Sequence, residues 1–177
     1  MIAMKELVTE RLIIRDFRES DGEDLYEYLS DEEVVKFEPY KPFGREEAYN
    51  EAKRRSGDDK FIAVCLKSGK LIGNLYFAKG NFDTWEVGYV FNKTYWGNGY
   101  ATESLKALMN YAFEEMKVRR IIAKCDPKNS NSWRLLERVG IRREGTLLQS
   151  VYFHMDEDEN PIWKDTYEYA LLKSEYK

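Results

Sequence analysis

Two glycines in this sequence are placed to do phosphate chemistry. Gly97 and Gly99 sit within Tyr95-Trp96-Gly97-Asn98-Gly99-Tyr100-Ala101-Thr102-Glu103, between a strand-like run and an amphipathic helix. Glycine lets the backbone turn tightly and bring its N–H groups close to a ligand. The helix that follows points its positive dipole end back at the same turn. Free N–H groups and a dipole together make a seat for a phosphate or pyrophosphate. A P-loop would need Gly-x-x-x-x-Gly-Lys-Ser/Thr, and no such run exists here. A dinucleotide fold would need a third glycine where Thr102 stands, near the start of a βαβ unit. Both nucleotide readings fail.

Other reactive residue types are few. Cys65 and Cys125 lie in apolar runs without metal spacing. They read as reduced, buried, small apolar residues. The one histidine, His154, stands beside Phe153 near a strand end and reads as packing or surface.

The elements that must position the glycine turn follow from apolar spacing. Leu12–Phe17 reads as a first strand. Ser20 with Glu23 matches a capping box, ahead of a helix with Leu25, Tyr28 and Leu29 on one face. A short helical piece from Asp31, a loop over Glu38–Phe43 and a polar helix from Arg45 to Arg55 come next. That helix's charges read as a solvated face. Phe61–Lys67 and Lys70–Lys79 form a hairpin across Ser68-Gly69, and Trp85–Phe91 is the strand before the glycine turn. Leu105, Leu108, Met109, Ala112, Phe113 and Met116 predict one apolar face on the helix after it. Arg119–Cys125 is a strand, and Asn129 or Ser130 caps a helix that Gly140 ends. Arg142–Phe153 and Trp163–Leu172 complete the chain. The strands flanking the glycine helix must be parallel, and the three before it antiparallel. The expectation is an α/β (α+β) fold with a mixed central sheet of about seven strands flanked by helices, all in one domain over residues 1–177.

Bulk properties narrow the partners. Apolar residues are 43% of 177, which excludes disorder, and 28 basic against 32 acidic residues leave a net charge of −4. That balance argues against nucleic acid as the main partner. Met1–Glu6 shows no basic region followed by a long apolar stretch, and no run reaches membrane-spanning length. A cytoplasmic protein with no membrane and no metal is expected.

The third phosphate reading is coenzyme A, and here a resemblance becomes specific. Trp96–Glu103 resembles the pyrophosphate loop of the GNAT acetyltransferases, closest to the RimJ/RimL-type branch that acetylates ribosomal-protein N-termini. Thr9-Glu10-Arg11-Leu12-Ile13-Ile14-Arg15 resembles that branch's opening strand, and Trp85-Glu86-Val87-Gly88-Tyr89 its strand before the loop. Asn129-Ser130-Asn131-Ser132 with Leu136–Gly140 resembles its Asn-x-x-Ser helix. Three positions depart from the wider pattern. Thr94 replaces an Arg or Gln, Leu136 replaces a Tyr proposed to protonate the leaving thiolate, and Ile141 replaces an aromatic.

The resemblance implies transfer of an acetyl group from acetyl-CoA directly to an amine. Glu86 is the implied general base, acting directly or through water, because attack needs the unprotonated amine. Main-chain N–H groups from Trp96, Gly97, Asn98, Gly99, Tyr100, Ala101 and Thr102 would hold the pyrophosphate. A backbone N–H at Val90 or Phe91 would face the developing oxyanion, with Gly88 marking a bulge or simply packing. Asn129 would contact coenzyme A, cap its helix, or both. Ser132 would contact coenzyme A or relay a proton to the thiolate. Three functions stay open: acetylation of a protein N-terminal α-amine, acetylation of a polyamine or aminoglycoside, and a non-catalytic acyl-CoA-binding module. Analogy also suggests a homodimer.

Overall fold

A computed structural model describes residues 4–177; Met1–Ala3, part of the stretch read for a leader, lie outside them. Short apolar runs separated by tight turns build the first half. These are β1 (Leu7–Val8), β2 (Leu12–Asp16), α1 (Gly22–Leu29), α2 (Glu32–Val35), α3 (Arg45–Ser56), β3 (Phe61–Leu66), β4 (Leu71–Lys79) and β5 (Thr84–Phe91). The second half contains α4 (Tyr100–Asn110), β6 (Arg120–Cys125), α5 (Ser130–Arg138), β7 (Arg142–Met155) and β8 (Pro161–Leu172). The fold is mixed α/β, with a single sheet of eight strands in the order β1-β2-β3-β4-β5-β6-β8-β7. The additional strand is β1, two residues pairing with Ile13 and Ile14, too short to show alternation in the sequence.

Helices cover both faces. Leu105, Leu108, Met109 and Phe113 of the α4 segment pack on Ile14, Ile62, Val64 and Ile121. Leu25, Tyr28 and Leu29 of α1 and Ala52 of α3 pack on Ala63, Cys65 and Leu71. Cover on both sides explains why β3 reads Phe-Ile-Ala-Val-Cys-Leu without polar alternation.

Sheet pairing breaks where chemistry would need space. β4 and β5 pair antiparallel over seven positions without a shift, so Gly88 marks no bulge. β5 and β6 are parallel but share only three pairs, Thr84–Arg120, Trp85–Ile121 and Glu86–Ile122. β6 meanwhile stays paired with β8 as far as Cys125–Tyr167. Beyond Glu86 the sheet therefore splits into a V.

Several local expectations need correction. Ser20 caps nothing; Asp21 accepts the Arg18 N–H (2.7 Å) and two N–H groups of Arg15 (2.9 and 2.8 Å). A carboxylate reaching a guanidinium and a main-chain N–H together outcompetes a serine hydroxyl. The α3 charge run is not wholly solvated, since Arg55 is only 3% exposed. It donates to Glu51 (2.7 Å) and Asn74 (3.1 Å) and lies 4.4 Å over the Phe61 ring. Met116 is 36% exposed. The α4 segment ends in a π turn over Tyr111–Glu115, with Met116 N–H bonded to the Tyr111 carbonyl at 3.0 Å. That wider turn rotates the last apolar position off the core face. Among the described residues, no helix is long and apolar enough to cross a membrane.

Candidate active site

The V between β5 and β6 opens into a cleft of about 2060 Å³ that runs from the glycine turn to the loop over residues 36–44. A site for one small ligand occupies roughly 300–1,000 Å³, so this cleft has room for two substrates side by side.

Its floor is the unpaired edge of β5. Gly80 N–H donates to the Thr84 carbonyl (2.7 Å) and Asn92 N–H to the Ile72 carbonyl (2.8 Å). The alternation between these bonds turns the main-chain groups of Glu86, Gly88 and Val90 toward β4. Those of Val87, Tyr89 and Phe91 face the β6 side. The Val87 N–H is taken up by the last rung, at Glu86–Ile122, whereas Tyr89 and Phe91 point into the gap, so of the two expected oxyanion donors Phe91 faces the gap and Val90 does not. The Trp96 indole N–H donates to the Phe91 carbonyl at 2.8 Å, joining the glycine turn to the end of β5.

At the turn, Gly97 and Gly99 adopt φ of 76° and 79°. Only glycine takes this left-handed region without strain. Gly99 is the N-cap of α4, and its carbonyl accepts the first helical bond, from Glu103 N–H at 3.0 Å. The N–H groups of Gly99, Tyr100, Ala101 and Thr102 precede that bond and have no intrahelical partner. They point into the same end of the cleft. Arg11 fixes the turn from below. Its side chain donates to Glu103 (2.7 Å) and to the Asn98 carbonyl (2.8 Å), and its guanidinium lies 4.5 Å over the Tyr100 ring. Glu103 also accepts the Arg11 N–H (2.9 Å) and the Thr9 hydroxyl (2.7 Å). Burial pushes the Glu103 carboxyl up, but these bonds outweigh it and hold it below the usual carboxylate range. Thr9, Arg11 and Glu103 thus form one clamp between the β1–β2 connection and α4. Lys106, Arg134 and Arg138 add positive charge to this end, with Arg138 donating to the Thr102 hydroxyl at 3.3 Å.

Across the gap, Asn129 caps α5 by accepting the Ser132 N–H at 3.3 Å. Ser132 Oγ lies 2.8 Å from the Tyr89 hydroxyl, which also donates to the Ser132 carbonyl (3.1 Å). Burial pushes the Tyr89 hydroxyl well above its ordinary range, so it is protonated at neutral pH. Cys125 is half-buried and lines the cleft, whereas burial in the core was expected. Its thiol is pushed up to about 11 by burial, which removes the thiolate a nucleophile needs. Glu86 is half-buried at the last β5–β6 pair, on the face shared with Gly88 and Val90, with Lys124 Nζ 3.8 Å away. His154 is exposed. Of the aromatics expected to line the acceptor side, Tyr26, Tyr28, Phe37, Tyr40 and Trp163, only Phe37 and Tyr40 line the cleft; Tyr28 is buried and donates to Asn74 (2.7 Å), and Tyr26 and Trp163 stand outside the lining.

The arrangement fits a diphosphate-bearing thioester: unpaired amides at a helix start, basic side chains around them, and an open strand edge leading away. The motifs drew attention to the turn and to Glu86, but not to Arg11, Arg134, Arg138, Tyr89 or Glu38. Arg134 and Arg138 do carry a signal, since a spacing of four puts both on one helix face. Truncating Arg11 to alanine removes two side-chain hydrogen bonds and frees the turn. The expected result is a rise of about tenfold in KM for acetyl-CoA, or ~1.4 kcal/mol, with kcat changed by less than about twofold. Steady-state kinetics with varied acetyl-CoA check it.

Comparison with known proteins agrees with this chemistry. Residues 11–142 match the family described as Acetyltransferase (GNAT) domain. The uncharacterized N-acetyltransferase YnaD of Bacillus subtilis (strain 168) is 38% identical over 173 residues, covering 96% of this chain and 98% of YnaD. A GNAT-family acetyltransferase from Bacillus anthracis, of known crystal structure, superposes with a TM-score of 0.88 at 38% identity, covering 97% of this chain and all of that one. A more distant relative, the ribosomal protein uS5-alanine N-acetyltransferase of Escherichia coli (strain K12), is 26% identical over 155 residues, covering 78% of this chain and 79% of its own.

Proposed function

The chain belongs to the GNAT acetyltransferase family and is an acetyl-CoA-dependent acyltransferase, and on that premise we propose that its acceptor is the α-amine at a protein N-terminus, as in the RimJ/RimL-type branch. The acetyl-CoA half of this reading is carried by the split between β5 and β6, which opens directly beside the amides at the start of α4, and the acceptor half is supported by the likeness to the uS5-alanine N-acetyltransferase of Escherichia coli. In this reading the whole chain, 1–177, works as one catalytic domain. Main-chain N–H groups from Trp96 to Thr102 bind the pyrophosphate, with Lys106, Arg134 and Arg138 matching its charge. The Val87 carbonyl and the N–H and C=O of Tyr89 bond the amides of the pantetheine arm as a neighbouring strand would, and Asn129 and Ser132 flank it. The Phe91 N–H faces the carbonyl oxygen as it gains charge.

The amine comes from the other side of the sheet, past the loop over residues 36–44. Glu86 takes, through water, the proton that nitrogen loses as the C–N bond forms. Ser132, hydrogen-bonded to Tyr89, passes a proton to the departing sulfur. A thiolate leaves readily, so the leucine at position 136 is tolerated. Acidic side chains on this side (Glu33, Glu38, Glu51, Glu86 and Asp165) also suit a polycation, which keeps a polyamine or aminoglycoside as the second reading.

A thiol-release assay against a panel of amines separates these readings. Turnover with alanine- or serine-initiated peptides and not with spermidine or kanamycin is the expected result. The reverse order moves the acceptor to small polycations. Coenzyme A binding without turnover on any amine replaces the enzyme with a binding module.

A further inference from the structure

We propose that Glu38 is a second catalytic carboxylate, the group that removes the proton from the acceptor's ammonium before attack. This rests on the acetyl-transfer reading above.

The loop that carries Glu38 is fixed at both ends. Glu38 N–H donates to the Val35 carbonyl (2.9 Å) and Phe43 N–H to the Leu29 carbonyl (2.9 Å). Tyr40 and Phe43 meet edge to face, 5.3 Å between centroids, and both pack on the α1–α3 core. So anchored, the loop places the Glu38 side chain in the cleft wall with Gly88, Tyr89 and Val90.

There the carboxylate is half-buried and has no hydrogen bond or ion pair among the described residues. Four other shielded carboxylates are paired with cations, Asp21 with Arg15, Glu51 with Arg54 and Arg55, Glu103 with Arg11, and Asp126 with Lys164; Asp16, which leaves one buried oxygen unpartnered, accepts the Met4 N–H (3.1 Å) with the other and does not line the cleft. The cations nearest Glu38 are Arg55 from α3 and Lys164 from β8. Both are engaged elsewhere, Arg55 with Glu51 and Asn74, Lys164 with Asp126 at 2.8 Å. Tyr40 from its own loop and Tyr89 from β5 are the other titrating neighbours, and burial keeps both protonated. What remains open to the carboxylate is the cleft.

Burial raises the Glu38 carboxyl to about 7, with Arg55 and Lys164 only partly opposing it. A general base works best when its pKa lies near the working pH. Glu86 is placed differently, with Lys124 3.8 Å from its carboxylate.

The two carboxylates divide two protons. An alkylammonium must lose one proton to expose its lone pair, and the Glu38 carboxylate takes it, becoming a carboxylic acid. The lone pair forms the C–N bond with the thioester carbonyl carbon, and the C=O π pair moves to oxygen. Nitrogen then loses its second proton through water to Glu86. As C=O re-forms, the C–S bond breaks and its pair leaves on sulfur, which is protonated through Ser132. Glu86 restores that serine's proton through water, and Glu38 returns its own to solvent. The sum is ammonium plus thioester giving amide, thiol and one proton.

The test uses the full-length protein with acetyl-CoA and an alanine-initiated hexapeptide, comparing wild type, Glu38→Gln and Glu38→Asp across pH 5.5–9. Wild-type kcat/KM should rise with pH through about 7, because the deprotonated carboxylate is the active form. In Glu38→Gln that limb should vanish, leaving only the ionisation of the peptide amine at ~8. Turnover at pH 7 should fall about 100-fold, with acetyl-CoA affinity by calorimetry within about twofold of wild type, and Glu38→Asp should recover part of it. In ¹³C-glutamate-labelled protein one carboxyl signal should titrate near neutrality and be missing from Glu38→Gln. Unchanged turnover and limb in Glu38→Gln, or no such carboxyl signal, overturns the role of Glu38 while leaving acetyl transfer standing. Absence of thiol release by wild type with every amine in the panel overturns acetyl transfer, and this role with it.

Discussion

Gly99→Val should raise the dissociation constant for acetyl-CoA by at least about a hundredfold, equivalent to ~2.8 kcal/mol. Two effects add. At φ 79° a β-branched side chain is strained wherever it points. The Cβ itself would meet Arg11 Nη2 at an ordinary contact distance of 3.4 Å, so the added bulk against the clamp is that of the two valine methyls beyond it. Relieving either contact swings the N–H groups of Gly99–Thr102 away from their common focus. A hydrogen bond to a charged group contributes ~1.5–3 kcal/mol, so misaligning two of the four accounts for the whole change. Isothermal titration reads it directly. An unchanged constant would mean that coenzyme A is held elsewhere. Folding should survive, because the substitution lies at an exposed turn outside both apolar clusters.

Glu86→Gln should lower kcat about 100-fold while leaving acetyl-CoA affinity and the acidic limb of the rate profile in place. The amide keeps the size of the side chain and its hydrogen bonding but cannot accept a proton from water. Glu86 is the last β5 residue paired with β6, so its Cβ stays fixed while the strands beyond it part. The side chain is half-exposed beside Lys124, so stability should change little, in keeping with the small contribution of exposed ion pairs. Stopped-flow acetylation of a peptide, with calorimetry of coenzyme A binding alongside, separates the loss of turnover from any loss of binding. Wild-type turnover in this variant would remove Glu86 from the mechanism.

Strands and turns were legible in the sequence because their signals are local. The Ser68-Gly69 hairpin, the Asn129 cap and the Gly140 stop each depend on a few neighbouring residues, and each stands where spacing put it. Parallel pairing of β5 and β6 followed from one connecting helix. What was missed depends on partners outside the element being read. Ser20 looked like a cap until Arg15 and Asp21 met beside it. Arg55 read as solvated because Phe61 and Asn74 lie beyond its own helix, on β3 and β4. The Met116 position failed for a different reason, since no residue type marks a π turn. At the site the same division holds. Gly97, Gly99 and Glu86 announce themselves by motif, whereas Arg11 acquires its role by reaching from the β1–β2 connection to α4, and Glu38 by having no hydrogen bond or ion pair among the described residues.

Among the described residues, three pairs along one seam are all that join the two halves of the sheet directly. Every other strand contact lies within one half or the other, apart from what the helices bridge. The Tyr89 and Phe91 N–H groups, which face the gap, should therefore exchange with deuterium readily while the seam is empty. A pantetheine chain lying in it would supply the missing rungs and join the halves as a further strand. Protection from deuterium would then spread outward from β5 and β6 together, so the substrate would act as a structural member of the protein that consumes it.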